Sequence, residues 1–295
     1  MTVDPVLLDR RLLVVTADDF GIGVATSQGI VEAAGLGPVT ATSALAVAPA
    51  FEASLPLLAQ APALEVGLHI ALTGRFRPLV ATPASGFVER DGHFRGPGRL
   101  LLACLSRRVS STALADEIEA QVERFRGLTG RRPTHFDGHH HVHEWPAIRD
   151  VMARLAAEDV LPRITRVTVE PDGVRRRVPG DRARRRILDG LGRKARKVFS
   201  AAGLAINDSM FGPLMPSRPA PGFPWAAHLA QLPREGVVEW VVHPGRPDPS
   251  VRAIDWYVEG RVVEWQALTT PEHRVLWDGF GWTRSGKSAL RVPPV

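Results

Sequence analysis

The stretch Leu12-Leu13-Val14-Val15-Thr16-Ala17-Asp18-Asp19 joins an apolar run to two carboxylates, and this pattern recurs along the chain. His69 is the last residue of a second apolar run. The histidine-rich segment 135–143 follows a third run, and His243 follows the run 237–242. In a barrel of parallel strands, the carboxyl ends of all strands open on one face, which carries the chemistry. A doubly wound sheet would instead gather such residues around one switch point. Polar sites after four separate strands therefore predict an α/β fold of the (β/α) barrel type.

Apolar runs alternate with helical patterns, as expected for parallel strands joined by helices. The predicted strands span 12–16, 40–46, 64–69, 133–137, 164–169 and 237–242, and the predicted helices span 24–35, 50–60, 112–128, 145–157, 181–202 and 225–231. The segment 73–110 is too long for an ordinary connection and is predicted to be an insertion at the active site. The part after residue 244 is less regular. No linker divides the chain, so we expect residues 1–295 to form a single domain.

Length and composition are those of an ordinary globular protein, and 295 residues can enclose one sizeable core. No apolar run approaches the ~20 residues that a membrane span requires, so no transmembrane segment is predicted. The single cysteine, Cys104, excludes an internal disulfide and fits a reducing compartment. We therefore expect a cytoplasmic protein.

The net charge of +6 is concentrated in one segment. Residues 175–197 contain eleven Lys and Arg against two Asp, a local net of +9, which leaves −3 for the rest. An apolar stripe in the same region predicts a basic surface helix over 181–202. One basic helix without an aromatic platform does not indicate nucleic-acid binding. The sequence leaves open whether the basic segment contacts phosphate, a membrane or only solvent.

Five of the ten histidines lie within the nine residues His135-Phe-Asp-Gly-His139-His140-His141-Val-His143. Crowded imidazoles compete for hydrogen-bond donors and repel each other when protonated, so a metal ion or nearby carboxylates would stabilise them. A carboxylate with two neutral imidazoles is a good ligand set for a divalent ion. The Asp18-Asp19 pair could supply one such ligand and a base. Spacing alone does not choose among His139, His141 and His143 as the ligand.

Four motifs together carry a family resemblance. They are Thr16-Ala-Asp-Asp-Phe-Gly21, Gly67-Leu-His69, Thr134-His-Phe-Asp-Gly-His-His-His-Val-His143 and Val242-His-Pro-Gly245. In order and spacing, from about residue 11 to 285, the chain resembles the YdjC-like carbohydrate deacetylases, which include chitooligosaccharide deacetylases and members associated with hopanoid biosynthesis. The resemblance implies an irregular TIM-like barrel, commonly dimeric, that removes an N-acetyl group from a sugar.

By this resemblance, Asp19, His69 and His139 match the ligands of one divalent ion. Asp18 matches the general base for the metal-bound water that attacks the amide carbonyl, and His243 the acid that protonates the leaving amine. Magnesium is the ion that the resemblance favours, while two imidazoles make zinc or another transition metal the alternative. The remaining candidates are predicted to bind substrate or to orient these groups: Asp137, His141, His143, Arg163 and Arg166.

Two alternatives remain open. A metal phosphoesterase on a similar barrel would require more ligands, for two or three ions. A non-catalytic carbohydrate- or lipid-binding protein would not turn over any substrate. The basic segment suits a sugar linked to a phosphate carrier or a lipid, but the sequence does not identify the acetylated sugar.

Overall fold

Seven parallel strands form a half-barrel with helices around it, and this confirms the predicted fold class. The computed structural model describes residues 11–171, 182–212, 224–233, 235–290 and 292. The strands are β1 (Leu12–Phe20), β2 (Ala41–Ala44), β3 (Glu65–Ile70), β4 (Phe136–Gly138), β5 (Ser209–Phe211), β6 (Val237–Val242) and β7 (Thr283–Arg284). Their order is β4-β3-β2-β1-β6-β5, and β7 pairs with the beginning of β1.

The predicted strand 164–169 is wrong in detail. This segment runs between β4 and β5, but it forms only an isolated bridge from Ile164 to Ala205 and single main-chain hydrogen bonds to Phe136 and Met210, and no continuous ladder. The main chain of Val167 bonds instead to the side-chain amide of Asn207, whose Oδ1 accepts from the Val167 amide and whose Nδ2 donates to its carbonyl. The side chain of Asn207 therefore replaces part of the main-chain hydrogen-bond ladder, and the barrel is irregular between β4 and β5.

Helices cover the outside of the sheet. They are α1 (Val24–Leu36), α2 (Phe51–Ser54), α3 (Pro97–Leu105), α4 (Ser111–Thr129), α5 (Ile148–Ala157), α6 (Arg182–Ala201), α7 (Trp225–Leu229), α8 (Glu259–Thr269) and α9 (Pro271–Asp278). The prediction missed α3, α8 and α9 and the short strands β5 and β7. It placed α6 within one residue at each end, although residues 175–181 of the basic segment and the side chains of 182–185 lie outside the described part. None of the described helices is both long and apolar enough to cross a membrane.

The end of β1 departs from regular strand geometry. Its register with β2 shifts between Ala17 and Phe20, and Asp19 has a φ of 70°. That left-handed conformation is uncommon for any residue except glycine, and Asp and Asn tolerate it better than most. Successive side chains of a regular strand point to opposite faces. The irregularity allows two consecutive carboxylates, Asp18 and Asp19, both to lie beside the buried Nε2 of His69.

Charged side chains fill part of the barrel interior together with the apolar core. Glu239 lies on β6, inside an otherwise apolar run, and is fully buried. Its Oε1 accepts hydrogen bonds from the Nζ of Lys287 at 2.5 Å and from the Oγ1 of Thr16 at 3.0 Å. Lys287 is itself buried. Buried charged side chains therefore lie inside the barrel below the strand ends, where opposite charges such as those of Glu239 and Lys287 neutralise each other.

Candidate metal centre

Asp19, His69 and His139 converge at the carboxyl ends of β1, β3 and β4. All three are buried, and one ligand atom of each lies within 4.8 Å of the others. The Nε2 of His69 lies 3.4 Å, and the Nδ1 of His139 3.1 Å, from Oδ1 of Asp19. The structure thus brings together the three residues predicted to be ligands, although Asp19 and His139 are 120 residues apart in the sequence.

Asp137 fixes the ring of His69. The two residues are paired in the β3–β4 register, and the Nδ1 of His69 lies 2.6 Å from Oδ1 of Asp137. With the Nδ1 proton donated to this carboxylate, the ring directs Nε2 at Asp19, and a metal ion bound there would replace the Nε2 proton. Carboxylates orient metal-binding imidazoles in this way. Burial alone would lower the pKa of His69, but the charges of Asp18 and Asp137 raise it to about 10.

The ligand set fits a divalent ion. It offers one carboxylate oxygen and two imidazole nitrogens, and the orientation of His69 leaves its free nitrogen facing the same oxygen that His139 approaches. Divalent transition ions and magnesium both accept such mixed donors. Burial would raise the pKa of Asp19, but Arg261 and His139 hold it well below its usual value. The carboxylate is therefore in the charged form that a cation requires.

Arg261, which the sequence did not indicate, contacts the other oxygen of Asp19. Its Nη2 lies 2.6 Å from Oδ2 of Asp19 and 2.5 Å from Oδ2 of Asp255. Because the guanidinium engages Oδ2, only Oδ1 of Asp19 faces the two histidines. The residue lies on α8, in the part of the chain predicted to be less regular, so no pattern pointed to it.

Asp18 belongs to a second cluster, with His69 and Asp137. A guanidinium lies within this group: Arg166 donates from Nη1 to Oδ1 of Asp18 at 2.9 Å and from Nη2 to Oδ2 at 2.5 Å. Nη1 also lies 3.3 Å from Oδ2 of Asp137. A carboxylate has about four lone-pair positions. Asp18 therefore retains acceptor capacity on the side that faces His69 and His243.

His243 lies at the edge of the cluster. Its Nε2 is 4.0 Å from Oδ2 of Asp18, and its side chain is 24% exposed, so the ring borders both the buried carboxylates and solvent. The main-chain amide of His243 donates to Oε2 of Glu264. Its ring stands edge-to-face to that of Tyr257, with centroids 5.8 Å apart. This position suits a group that exchanges protons with a bound substrate.

The histidine-rich segment divides into different environments. His140 and His141 both have left-handed φ values, 57° and 59°, so the segment is neither a regular strand nor a regular helix. His143 uses both ring nitrogens: Nδ1 accepts from the amide of Gly138, and Nε2 donates to the carbonyl of Arg166. That bonding excludes His143 as a ligand and makes it a support for the main chain at Arg166. Only His139 of this segment joins the Asp19 cluster in the described part of the chain.

Two predicted residues lie elsewhere. Arg163 is exposed, and its guanidinium lies near the carbonyls of Ala202 and Ala157, at 3.5 and 3.4 Å. It was grouped with Arg166 because both flank one predicted strand, but it does not belong to this site. His141 is buried close to His143, with ring centroids 6.3 Å apart, and is not part of the described clusters.

The beginning of the segment 73–110 borders the centre. The Oγ1 of Thr73 lies 3.0 Å from Nδ1 of His140, and the ring of Phe76 stands edge-to-face to His139 at 5.7 Å. Farther along, the amides of Leu79, Val80 and Ala81 donate to the buried carboxylate of Glu117. The first residues after β3 therefore form one wall beside His139.

Comparison with known proteins identifies a family for this chain. The family model described as "YdjC-like protein" matches residues 12–278. A chitooligosaccharide deacetylase of Citrobacter koseri is 40% identical over 150 residues, which are 50% of this chain and 57% of that protein. The match thus spans somewhat more than half of that relative. A crystal structure described as a cellobiose-phosphate cleavage protein, from Enterococcus faecalis V583, has a TM-score of 0.72 at 23% identity and covers 95% of this chain and 98% of its own. That likeness shows the shared fold.

Proposed function

Because the chain belongs to the YdjC-like protein family, we propose that it is a metal-dependent hydrolase that removes an N-acetyl group from an acetylated amino sugar. The observation that carries this proposal is the convergence of Asp19, His69 and His139 next to a second carboxylate, Asp18. The name of the relative from Citrobacter koseri supports the reaction and the class of substrate. Because the match covers only 50% of this chain, the particular sugar is not inferred from that name.

When bound by these three residues, a divalent ion supplies the Lewis acidity that polarises an amide carbonyl and lowers the pKa of water. The chain supplies the proton transfers. Asp18 lies 3.9 Å from the Nε2 of His69 and would take a proton from the attacking water. Arg166 holds both Asp18 oxygens, which fixes their direction. General-base catalysis of this kind contributes about 10²- to 10⁴-fold.

His243 would donate a proton to the nitrogen that leaves. Its ring reaches the Asp18 side of the cluster from the partly exposed edge, where a sugar could enter. The Tyr257 ring packs edge-to-face against it, and the Tyr257 hydroxyl donates to Oε1 of Glu264 at 2.5 Å. Glu264 also accepts from the His243 amide, so one carboxylate positions both residues. This arrangement gives the acid a defined orientation.

The test is acetate release from N-acetylglucosamine and from diacetylchitobiose. Enzyme treated with a chelator should release none, and refilling with magnesium, zinc, manganese, cobalt or nickel in turn should restore release with at least one ion. Asp18→Asn should bind the ion and lower kcat about 10²- to 10⁴-fold. Release that persists in fully chelated enzyme would contradict the metal dependence, and full turnover by Asp18→Asn would contradict the base.

Metal content separates this proposal from a phosphoesterase. We expect about one ion per chain, since three ligands of a single centre converge. Two or more ions, together with hydrolysis of p-nitrophenyl phosphate, would favour the phosphoesterase. Binding of either sugar without any turnover would favour a carbohydrate-binding protein.

Magnesium is the first ion to test because the family resemblance favours it, and zinc is the second because imidazole ligands favour a transition metal. The homodimer and a carrier- or lipid-linked sugar are further expectations. Sedimentation at several protein concentrations tests the first. Comparison of free and phosphate-linked acetylated sugars as substrates tests the second.

A further inference from the structure

Lys287 is a fully buried lysine in the segment that follows β7. The Ser285 amide donates to the carbonyl of Leu13 on β1, and the Ser288 amide donates to Oε2 of Glu65 on β3, both at 3.1 Å. Leu13 and Glu65 lie at the amino ends of their strands, opposite the candidate metal centre. This segment lies beyond residues 12–278, which the family model matches, so family membership does not account for it. It brings a positive charge into the barrel from the end opposite the metal centre.

The ammonium of Lys287 contacts a buried carboxylate that two other donors also approach. Oε1 of Glu239 lies 2.5 Å from Nζ of Lys287, 3.0 Å from Oγ1 of Thr16 and 3.4 Å from Nη1 of Arg166. The Oε2 of Glu239 has no hydrogen-bond partner among the described residues. A buried carboxylate needs a cation close to it, because a charge removed from water is costly unless it is paired. Of the two cations beside Glu239, Lys287 is the closer.

One nitrogen of Arg166 lies between Glu239 and the candidate base. Nη1 of Arg166 is 2.9 Å from Oδ1 of Asp18 and 3.4 Å from Oε1 of Glu239, whereas Nη2 is 2.5 Å from Oδ2 of Asp18. All three side chains are buried, and charges are screened much less there than in water. Two carboxylates therefore compete for one guanidinium.

We propose that Lys287 is a positioning residue, which neutralises Glu239 and thereby keeps the guanidinium of Arg166 on Asp18. The inference rests on the proposed function, in which Asp18 takes a proton from the attacking water. Without the lysine, Glu239 would lose its closer cation and would draw Nη1 of Arg166 toward itself. Asp18 would then lose hydrogen bonds that fix the direction of its carboxylate. Lys287 acts through two other side chains and takes no part in proton transfer.

Acetate release from diacetylchitobiose by the metal-loaded protein tests this role. For Lys287→Met, we expect kcat to fall about 10- to 100-fold because the partner of the base is displaced, while KM and the zinc dissociation constant stay within about threefold. Adding Glu239→Gln removes the competing carboxylate, so the double variant should recover most of the lost kcat. Arg284→Met is the matched control. It removes a cation of the same segment that pairs with Asp278 at 3.1 Å near the surface, and it should leave kcat within about twofold.

Recovery in the double variant separates positioning from a purely structural role. A lysine that only stabilises the fold would change the free energy of unfolding and leave kcat per folded, metal-loaded molecule unchanged. Unchanged kcat in Lys287→Met, no recovery in a folded double variant, or equal losses of kcat and zinc affinity would overturn the proposal. If Lys287→Met does not fold, Lys287→Gln, which keeps a neutral donor, replaces it with the same criteria.

A crystal structure of Lys287→Met separates this proposal from the proposed function. We expect Nη1 of Arg166 to lie closer to Glu239 than to Asp18 in that variant, and to return to Asp18 in the double variant. If this displacement occurs but wild-type protein releases no acetate, the deacetylase is contradicted and the effect of Lys287 on Arg166 stands. If wild-type protein releases acetate but Arg166 is not displaced, only the positioning role is overturned.

Discussion

Two neighbouring carboxylate clusters share His69 but are neutralised in different ways. In the inner cluster, Asp18 and Asp137 are paired with the guanidinium of Arg166, which lies within 3.3 Å of both. In the outer cluster, Asp19 faces two imidazoles through one oxygen and Arg261 through the other. Both clusters thus contain a guanidinium, but Arg166 lies between the two carboxylates of the inner cluster, whereas Arg261 leaves Oδ1 of Asp19 facing two imidazole nitrogens that could bind a metal ion. Both clusters consist of Asp, His and Arg side chains, so residue types alone do not distinguish one cluster from the other.

Removing the inner cation should produce the largest effect. Arg166→Met would leave Asp18 and Asp137 buried without their partner, and breaking a buried ion pair costs about 3–5 kcal/mol. We expect urea unfolding to show that loss, together with a loss of acetate release. Arg163→Met is the matched control, since this exposed arginine three residues earlier should change the unfolding free energy by less than about 0.5 kcal/mol. Similar stability of the two variants would mean that the inner carboxylates do not need Arg166.

The second prediction separates a histidine predicted to bind the metal, His139, from one that supports the main chain, His143. His139→Gln should weaken metal binding by about 100-fold or more and leave the stability of the metal-free protein within about 1 kcal/mol. His143→Gln should do the reverse, because it loses two buried hydrogen bonds, at about 1–3 kcal/mol, without touching the ligand set. Isothermal titration with zinc and urea unfolding measure the two quantities. Equal loss of metal affinity in both variants would remove the distinction between the clusters.

A buried carboxylate outside both clusters sharpens the comparison with the smallest effect. Glu144 accepts a hydrogen bond from the Thr168 amide, and burial raises its pKa to about 8. Between its unfolded pKa near 4.5 and about 8, the folded state holds a proton that the unfolded state has lost. Stability should therefore fall as pH rises through this window, by at most about 1.4 kcal/mol per unit. Unfolding at pH 6 and pH 7 should show that Glu144→Gln reduces this slope. An identical slope in the variant would mean that Glu144 is ionised in the folded protein.

Much of the candidate site could be predicted from the sequence because its residues follow apolar strands directly. Asp18, Asp19, His69 and the histidine-rich segment were found in this way, although only the family resemblance selected His139 within that segment. Parallel strands bring their ends together whatever the length of chain between them. Arg261 could not be found, because a single arginine on a surface helix shows no pattern of its own. Glu239 carried a signal, since a charge inside an apolar strand requires a buried partner, but its partner Lys287 lies 48 residues farther along.

The prediction of the fold succeeded where hydrophobic periodicity is strong. It failed where side chains replace the main-chain partners of a strand's hydrogen-bond ladder. The helices α1, α4 and α6 lie within two residues of their predicted ends. The segment 164–169 has the composition of a strand, but Asn207 and Glu144 bond to its main chain. Such side-chain partners depend on tertiary structure and leave no periodic trace. The short strands β5 and β7 have three and two residues, too few to form a pattern.

The left-handed conformation of Asp19 restricts how this protein can evolve. Most side chains destabilise that conformation, so the backbone at position 19 favours aspartate, asparagine and glycine over other residues. Of these, only aspartate brings a negative charge to the two histidines. Asparagine is one nucleotide change away and would keep the turn while losing the charge. A lineage that abandoned catalysis could therefore keep the same fold, and Asn or Gly at this position would mark it in a comparison of related sequences.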